Sequence, residues 1–488
     1  MEHGSNTDER GPSDKAWRPP AIQRTNPTTN YQQPTTNYEL RTTNYEPSTK
    51  HQAPSTDPPA PADSRPFRPR AMYNTRMNPP LPPQPDVRMR GFASRTPVET
   101  ALQWIDAHTA VGGHERVEIA CLAGRVLAET VVSPVDVPAF ARAMMDGYAV
   151  RAADTAGASP YNRLPLNVVD TSLPGQPTRT QLQPGQAITI MTGAALPEGA
   201  DAVLPAEQTQ REGRRVFSLG EVSPYKHVGL PGEDIPQGST VLSPRKLRPQ
   251  DVGVLASIGR DAARVIRRPR VRIVVTGNEL LPAGSRPQGC QIVDSNSPML
   301  AALVNRDGGV LNPFEIVPDD PDAILAAMQD AADVVLVSGG SSVGQEDHAP
   351  RLLAQQGELA IHGIAMRPSS PAGMGRLGDR LVFLLPGNPV SCLCAYDFFA
   401  GRAIRALGGL RRTWPYRSTQ KTLRRKLVSA IGRLDYARVA LVEEQVEPLA
   451  ISGAAVLSST TRADGFVVVP ENSEGFPPGT EVEVWLYD

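Results

Sequence analysis

Hydrophobic positions along the chain follow two patterns, one of helical spacing and one of unbroken apolar runs. The stretch VETALQWIDAHTA, which follows Pro97, has apolar residues at helical spacing and predicts the first helix. Between residues 270 and 408, the apolar runs VRIVVTG, ADVVLVSGG and LVFLLPGNP alternate with segments of helical pattern. Buried strands that alternate with helices predict a parallel, doubly wound α/β sheet with helices on both faces.

Local signals place the other elements of this region. A helix is predicted over 295–305, capped by Ser or Asn, and a second over 320–332, opened by Asp320-Pro321. The run VLNPFEIV between them is predicted to be one strand. A closing helix is predicted over 389–407.

The remaining segments have shorter apolar runs or a different composition. Residues 138–228 carry many Gly and Pro residues between short apolar runs and predict a small all-β module. The C-terminal residues 409–488 predict a small β-barrel or sandwich. Residues 1–92 are rich in Pro, Thr and Asn, repeat the tetrapeptide TTNY, and predict a disordered tail. We interpret this tail as inert or weakly interacting, with a tether or partner-binding arm of unknown partner as the alternative.

Composition excludes several classes of function. Fifty basic and fifty-one acidic residues leave no excess charge for phosphate backbones, so no nucleic-acid partner is expected. The apolar runs are far shorter than the roughly 20 residues of a membrane span, and the first residues show no apolar signal segment, so a cytoplasmic location without membrane contact is expected. The four cysteines are expected to be reduced thiols, with Cys392 and Cys394 buried.

Polar loops follow the predicted strands, where the ligands of doubly wound sheets bind. The loop over 338–344, SGGSSVG, offers backbone N–H groups and hydroxyls without bulk, which suits an anionic group such as phosphate. A tight turn is the alternative for a Gly-rich loop taken alone. Position after a buried strand favours contact with a ligand.

Carboxylates are expected to gather at the same edge of the sheet. Glu279, Asp319 and Asp347 each follow a predicted strand, and carboxylates beside a phosphate loop are what Mg²⁺ requires. Taken singly, each could be a helix cap or a solvated loop residue, and Asp319 beside Pro321 is a credible cap. A separate acid, Asp146, lies in the β module, where composition does not distinguish a turn aspartate from a functional one.

Seven motifs, taken together and in order, resemble one family. The motifs are MMDGYAVR at Met144, MTGAALPEGADAV at Met191, TGNEL at Thr276, IVDSN at Ile292, VPDDP at Val317, VSGGSSVGQED at Val337 and LLPGNPVS at Leu384. In type, order and spacing they resemble those of the molybdopterin molybdenumtransferases, and are similar to those of the E domain of gephyrin, over about residues 95–488.

The resemblance implies a multidomain α/β plus β architecture and a homodimer whose active site forms between subunits. The resemblance leaves the tail 1–92 unexplained. The implied segments are a split N-terminal domain 93–137 and 229–268, an inserted β domain 138–228, a doubly wound molybdopterin-binding domain 269–408 and a C-terminal β-barrel 409–488. The implied reaction is the insertion of molybdate into adenylylated molybdopterin, dependent on Mg²⁺, with release of AMP.

The resemblance also implies roles for individual residues. Metal or substrate positioning falls to Glu279, Asp319 and Asp347, and Asp146 and Thr192 complete the site from the other subunit. Substrate-binding residues are expected at Ser338, Gly339, Gly340, Ser342, Gly344, Arg367, Pro386, Asn388 and Pro389.

The chain departs from the family at three places. The family's Asp-Asn-Ser-Ala before Met-Asp-Gly-Tyr is replaced here by residues 141–144, ARAM, and TGDEL becomes TGNEL through Asn278. The family's Lys-Pro-Gly-Lys-Pro, whose lysines are expected near the oxyanion, reads Arg367-Pro-Ser-Ser370-Pro. Ser370 removes one positive charge, for which Arg376 is the candidate replacement.

Two alternatives to a molybdate transferase follow from these departures. The lost lysine favours a non-catalytic scaffold that still binds molybdopterin, whereas the retained carboxylates favour the enzyme. The same chemistry with tungstate in place of molybdate is the other alternative, and the sequence does not separate the two oxyanions.

Overall fold

The described part of the chain comprises residue 92 and residues 94–487, except 341–346 and 451–452, in a computed structural model. The predicted tail 1–92 therefore lies outside the described residues except for Phe92, and so do the predicted site residues Ser342 and Gly344. Within the described ranges, no helix is long and apolar enough to cross a membrane.

A seven-stranded sheet forms the centre of the region 270–407. The strands Arg270–Thr276, Val334–Ser338 and Arg380–Leu385 run parallel, as the sequence predicts. In sheet order the strands are Val310–Leu311, Arg270–Thr276, Val334–Ser338, Arg380–Leu385, Gly373–Leu377 and Glu358–His362, and Ile316–Val317 also pairs with Arg270–Thr276.

The strand Gly373–Leu377, near one end of this sheet, runs antiparallel to both of its neighbours, which the sequence pattern did not predict. Strands Gly373–Leu377 and Arg380–Leu385 are joined across Gly378 and Asp379, and Leu377 pairs with Arg380. A two-residue connection can only join antiparallel strands, because parallel ones need a long crossover.

Helices cover both faces of the sheet, which confirms the doubly wound class. Along one strand, Ile273 belongs to the core on one face and Val274 to the core on the other. The helices around the sheet are Val98–His108, Asn296–Arg306, Pro321–Met328, His348–Gln356, Pro389–Ala395 and Gly401–Leu407, the last two joined by a π-helical turn Tyr396–Ala400.

Some predicted boundaries were wrong. The helix Asn296–Arg306 is not capped by Ser or Asn; Asp294 Oδ1 accepts the N–H groups of Asn296 and Ser297 at 2.9 and 3.1 Å. The helix opened by Asp320 ends at Met328, four residues early. The run VLNPFEIV forms two short strands, because Pro313 between them has no N–H for the ladder.

The inserted segment is a β module, as predicted. Its six-stranded sheet has the order Ala202–Pro205, Gly147–Val150, Gln186–Ile190, Leu164–Ser172, Arg215–Ser218 and Thr209–Glu212. Strands before and after this segment pair with each other, which fits the proposed split domain: His114–Glu118 with Ala262–Ile266, and Val131–Val132 with Thr240–Leu242. The pair Arg142–Ala143 with Val228–Gly229 joins the two ends of the inserted segment. The helix Pro249–Ser257 packs in the same region.

The C-terminal region is a closed five-stranded barrel. Its strands, in order around the barrel, are Leu434–Val442, Gln445–Ala450, Arg417–Leu423, Glu481–Leu486 and Gly465–Val469, which returns to the first. Met366–Arg367 pairs in parallel with the start of the first of these strands and brings Arg367 beside Asp435. The remaining short elements are strands Leu280–Leu281 with Ile292–Val293 and Leu427–Val428 with Gly475–Phe476, helix Ser458–Thr461, and 3₁₀ turns Ile119–Cys121, Ala152–Thr155 and Ala206–Gln208.

Candidate active site

A cavity of about 470 Å³ opens where the parallel strands of the central sheet end, and we call it the strand-end cavity. Its position is the one expected for ligands of a doubly wound sheet. The predicted site residues that line it are Glu279, Asp319, Ser338, Gly339, Gly340, Asp347, Asn388 and Pro389. Residues that follow four different strands therefore meet in one cavity.

Asn278 connects two of the acidic loops. Its backbone N–H donates to Asp319 Oδ2 at 3.0 Å, and its side-chain Oδ1 accepts the N–H of Asp319 at 3.3 Å. This reciprocal pair fixes Asp319 beside the loop that carries Glu279. An Asn at 278 makes these contacts without adding a further negative charge next to Asp319.

Asn296 ties the wall of the cavity together. Its Nδ2 donates to Ser338 Oγ at 2.9 Å and to the carbonyl of Gly387 at 2.7 Å. Gly339 has φ +95°, and a Cβ there would lie 2.4 Å from the carbonyl oxygen of Thr276, so only glycine fits. The first residues of the predicted phosphate loop are thus held close to the strand ends.

The three predicted metal carboxylates share this cavity without forming a preassembled cage. Among the described residues, no group of three His, Cys, Asp or Glu side chains is close enough to hold a metal ion. Mg²⁺ commonly takes one or two carboxylates and completes its shell with phosphate and water oxygens. Glu279, Asp319 and Asp347 line one cavity and fit that partial donor set.

Asp146 and Thr192 meet in the inserted β module and do not line the strand-end cavity. Asp146 Oδ1 accepts hydrogen bonds from both the backbone N and the Oγ1 of Thr192, each at 2.7 Å. These two hydrogen bonds lower the pKa of the Asp146 carboxyl below its ordinary value. The exposed side chains of Met144, Met145 and Met191 flank the pair.

A second cavity, of about 690 Å³, adjoins the first, and we call it the arginine cavity. Arg95, Arg367 and Arg433 line it, together with the predicted residue Pro386. Gly387 and Asn388 line both cavities, so the two are neighbours across this turn.

The buried carboxylate of Asp435 pairs with two of these arginines. Arg367 Nε donates to Asp435 Oδ1 at 3.1 Å, and its Nη2 donates to the other oxygen of the same carboxylate. Arg433 Nε lies 3.6 Å from Asp435 Oδ1. Three guanidiniums against one carboxylate leave an excess of two positive charges at this cavity.

Ser369 takes an unusual conformation in the wall of the arginine cavity. Its φ of +89° lies in the left-handed region that favours glycine, which is the residue of the family motif at this place. The side chain is buried, and its Oγ donates to the carbonyl of Ser391 at 2.6 Å. This bond anchors the turn that presents Arg367 and Ser370.

Several residues of these cavities escaped the sequence interpretation. Asp294 and Asn296 belong to the IVDSN motif, which was noted without roles for its members. Arg433 and Arg95 carried no signal at all. Arg376, the candidate replacement for the missing lysine, lies in strand Gly373–Leu377 and lines neither cavity.

Cys392 and Cys394 are free and buried, as the sequence predicts. Burial raises the pKa of the Cys392 thiol to about 12. Its Sγ lies 3.7 Å from Ser338 Oγ, beneath the wall of the strand-end cavity.

Three protein-family models match consecutive parts of the chain. Residues 96–259 match the MoeA N-terminal region (domain I and II), and residues 272–406 match a probable molybdopterin binding domain. Residues 420–487 match the MoeA C-terminal region (domain IV).

Individual proteins match over most of their length. A putative molybdopterin biosynthesis protein of Methanocaldococcus jannaschii is 33% identical over 407 residues, covering 81% of this chain and 96% of that protein. Molybdopterin molybdenumtransferase 2 of Mycobacterium tuberculosis is 35% identical over 376 residues, covering 74% of this chain and 92% of that protein. The crystal structure of a MoeA protein from Pyrococcus horikoshii superimposes with a TM-score of 0.70 at 33% identity, covering 80% of this chain and 99% of the other.

Proposed function

The chain belongs to the MoeA family of molybdopterin biosynthesis proteins, and on that premise we propose that it inserts molybdate into adenylylated molybdopterin. In this reaction, water hydrolyses the bond between the two phosphates of the adenylylated pterin and AMP leaves. The two dithiolene sulfurs then replace oxygens of molybdate, which leave as water, and the oxidation state of molybdenum does not change. The dithiolene sulfurs are the soft ligands of the metal, so the protein needs no cysteine for the task. What the protein supplies is the placement of two anionic substrates.

The observation that carries the proposal is the contact between two cavities of opposite character. The strand-end cavity is lined by three carboxylates, whereas the arginine cavity carries an excess of positive charge. They meet at Gly387 and Asn388, which line both. A substrate with phosphates in the first cavity and sulfurs at the turn would therefore face an oxyanion in the second.

In the strand-end cavity, the chain's own groups position the phosphates. The Ser338–Gly339–Gly340 backbone brings N–H groups to the strand ends, which suits a phosphate or the pterin. Glu279, Asp319 and Asp347 would hold Mg²⁺ beside it, and Asn278 keeps Asp319 in place for that role. When bound, Mg²⁺ supplies positive charge that offsets the negative charge developing as the phosphoanhydride breaks.

In the arginine cavity, guanidinium groups bind the oxyanion. Molybdate is a tetrahedral dianion, and the excess of two positive charges matches it. Asp435 holds the forked end of Arg367 through two hydrogen bonds, and Arg433 lies on the same carboxylate. Fixed donors of this kind bind an anion without the cost of reorganising flexible chains.

We also propose a homodimer in which Asp146 and Thr192 of one subunit complete the site of the other. Supporting this, the Asp146–Thr192 pair lies outside both cavities of its own chain. Exposed Met144, Met145 and Met191 surround the pair, and exposed methionines are typical of protein contact surfaces.

Formation of the cofactor tests the proposal. The purified full-length protein is incubated with adenylylated molybdopterin, Mg²⁺ and molybdate, and the product is added to a molybdenum-free apoenzyme of a cofactor-dependent oxidoreductase. We expect activation of the apoenzyme by the wild type and not by Glu279→Ala. Binding of adenylylated molybdopterin without any activation would support the scaffold alternative instead.

A further inference from the structure

A segment ahead of the first helix reaches the arginine cavity and is held there by backbone pairing. The N–H of Thr96 donates to the carbonyl of Gly363 at 2.9 Å, and the carbonyl of Thr96 accepts the N–H of Ala365 at 2.8 Å. Directly after Thr96, the helix Val98–His108 buries Val98 in the large core beside the sheet. Arg95 therefore starts from a backbone position that is fixed on its C-terminal side.

The side chain of Arg95 lies against the residue that replaces the family's second lysine. Arg95 Nε donates to Ser370 Oγ at 2.6 Å, although 275 residues separate the two in sequence. The turn that carries Ser370 is held to residues 363–365, with which Thr96 pairs, because the carbonyl of Ser370 accepts the N–H of Ile364 at 2.8 Å. Arg95 thus brings a positive charge to the place where the sequence lost one.

Arg95 differs from the other two arginines of the cavity in its counter-ion. Arg367 and Arg433 share Asp435, whereas no carboxylate in the described ranges lies within ion-pair distance of Arg95. Its Nε is occupied by Ser370, and the N–H groups of the two Nη atoms make no hydrogen bond to any residue the structure describes. A guanidinium with open donors beside two that are partly neutralised is suited to an anion.

We propose that Arg95 binds the oxyanion and fulfils, from a different part of the chain, the charge requirement that Ser370 no longer meets. The inference rests on the proposed function, since it names a residue of that oxyanion site. Ser370 then has a distinct role, because its hydroxyl accepts from Nε and orients the fork of Arg95. The guanidinium presents a planar pair of donors where a lysine presents a single point charge, so the site favours a tetrahedral oxyanion with two oxygens on one edge.

Equilibrium dialysis of labelled molybdate against the full chain, without pterin, tests the inference. The variants are Arg95→Gln, Arg95→Lys and the double variant Arg95→Ala with Ser370→Lys. The matched control is Arg116→Gln, which removes an exposed arginine that pairs with exposed Asp261 far from the cavity lining. We expect Arg95→Gln to weaken molybdate binding about 10- to 100-fold, the range of a charge-assisted hydrogen bond. The double variant should regain most of the wild-type affinity, and Arg95→Lys an intermediate value.

Two further readouts separate binding from structure. In Arg95→Gln, the KM for molybdate should rise while the affinity for adenylylated molybdopterin and the thermal midpoint stay at wild-type values. Equal molybdate affinity in Arg95→Gln and Arg116→Gln would overturn the inference, and so would an equal loss of both ligands with a lowered midpoint. Molybdate binding that depends on Arg95 in a protein that releases no AMP would support the inference while the proposed reaction fails.

Discussion

Asp146 Oδ1 accepts two hydrogen bonds from Thr192, from its backbone N and its Oγ1, each at 2.7 Å across 46 residues of sequence. Both residues were candidates from the sequence, but nothing in the pattern linked them directly. The pair sits at the surface of the inserted β module, away from the cavities that we assign to the substrates. Mixed dimers therefore test whether the pair acts in the active site of the partner subunit.

Mixed dimers are expected to regain activity from two inactive variants. Asp146→Ala and Glu279→Ala should each abolish turnover as homodimers. If each site takes Asp146 from one subunit and Glu279 from the other, a mixed dimer keeps one intact site, and random mixing restores about a quarter of wild-type activity. Co-expression with two affinity tags also allows the mixed dimer to be purified, and AMP-release assays should then give about half of the wild-type activity. A mixture that stays inactive would show that both residues act in the site of one subunit.

The titration of Asp146 is expected to depend on the hydroxyl of Thr192. The two hydrogen bonds from Thr192 stabilise the ionised carboxylate and lower its pKa. Thr192→Val removes one of them, so the pKa should rise toward the ordinary value of about 3.9, and Asp146 should become protonated at a higher pH. Thr192→Ser keeps the hydroxyl and should keep the low pKa. Carbon NMR of the labelled carboxyl checks both, and identical titrations in the two variants would contradict the assignment.

Loss of a cavity carboxylate is expected to act on catalysis and not on assembly. Asp347→Ala should abolish turnover, or raise by at least about tenfold the Mg²⁺ concentration needed for half-maximal activity, while the dimer stays intact by light scattering. Asp322→Ala is the control, because Asp322 is exposed on the helix Pro321–Met328 and lines neither the strand-end cavity nor the arginine cavity. Near-normal activity and Mg²⁺ dependence in Asp347→Ala would remove this residue from the site.

Two variants of Ser369 test whether its left-handed backbone conformation destabilises the protein. Ser369→Ala loses the hydrogen bond to Ser391 and keeps a Cβ at φ +89°, whereas Ser369→Gly loses the same bond and relieves the conformation. We expect the alanine variant to be less stable than the glycine variant by about 1 kcal/mol. Chemical denaturation followed by fluorescence measures the difference. An alanine variant as stable as the glycine variant would show that the turn stores no such strain.

The sequence predicted the parts of the fold that local chemistry determines. Each central strand is a continuous apolar run, and Asp320 before Pro321 caps its helix as expected, accepting the N–H of Ala323 at 2.9 Å. At the preceding helix, Asn296–Arg306, the residues Asp294, Ser295 and Asn296 are all good caps, and only the folded structure shows that Asp294 accepts the first N–H groups. Where several neighbouring residues could cap a helix, the sequence pattern alone therefore does not determine which of them does.

The candidate site also has one part that the sequence predicted and one part that it did not. The acids and glycines of the strand-end cavity follow predicted parallel strands, whose carboxyl ends lie at one edge of the sheet. Their proximity was therefore predictable. The arginine cavity draws on residues that tertiary packing alone brings together, such as Arg95 and Ser370. No periodicity connects positions so far apart. Arg376, which the sequence suggested as the replacement charge, lies in strand Gly373–Leu377 and lines neither cavity.

Oxyanion-dependent release of AMP tests the central claim most directly. The purified full chain is supplied with adenylylated molybdopterin and Mg²⁺, and AMP is measured with molybdate, with tungstate and with neither. The account predicts release that requires an oxyanion and is fastest with molybdate. Equal release without any oxyanion, preference for tungstate, or no release from a protein that binds the pterin substrate would each contradict it.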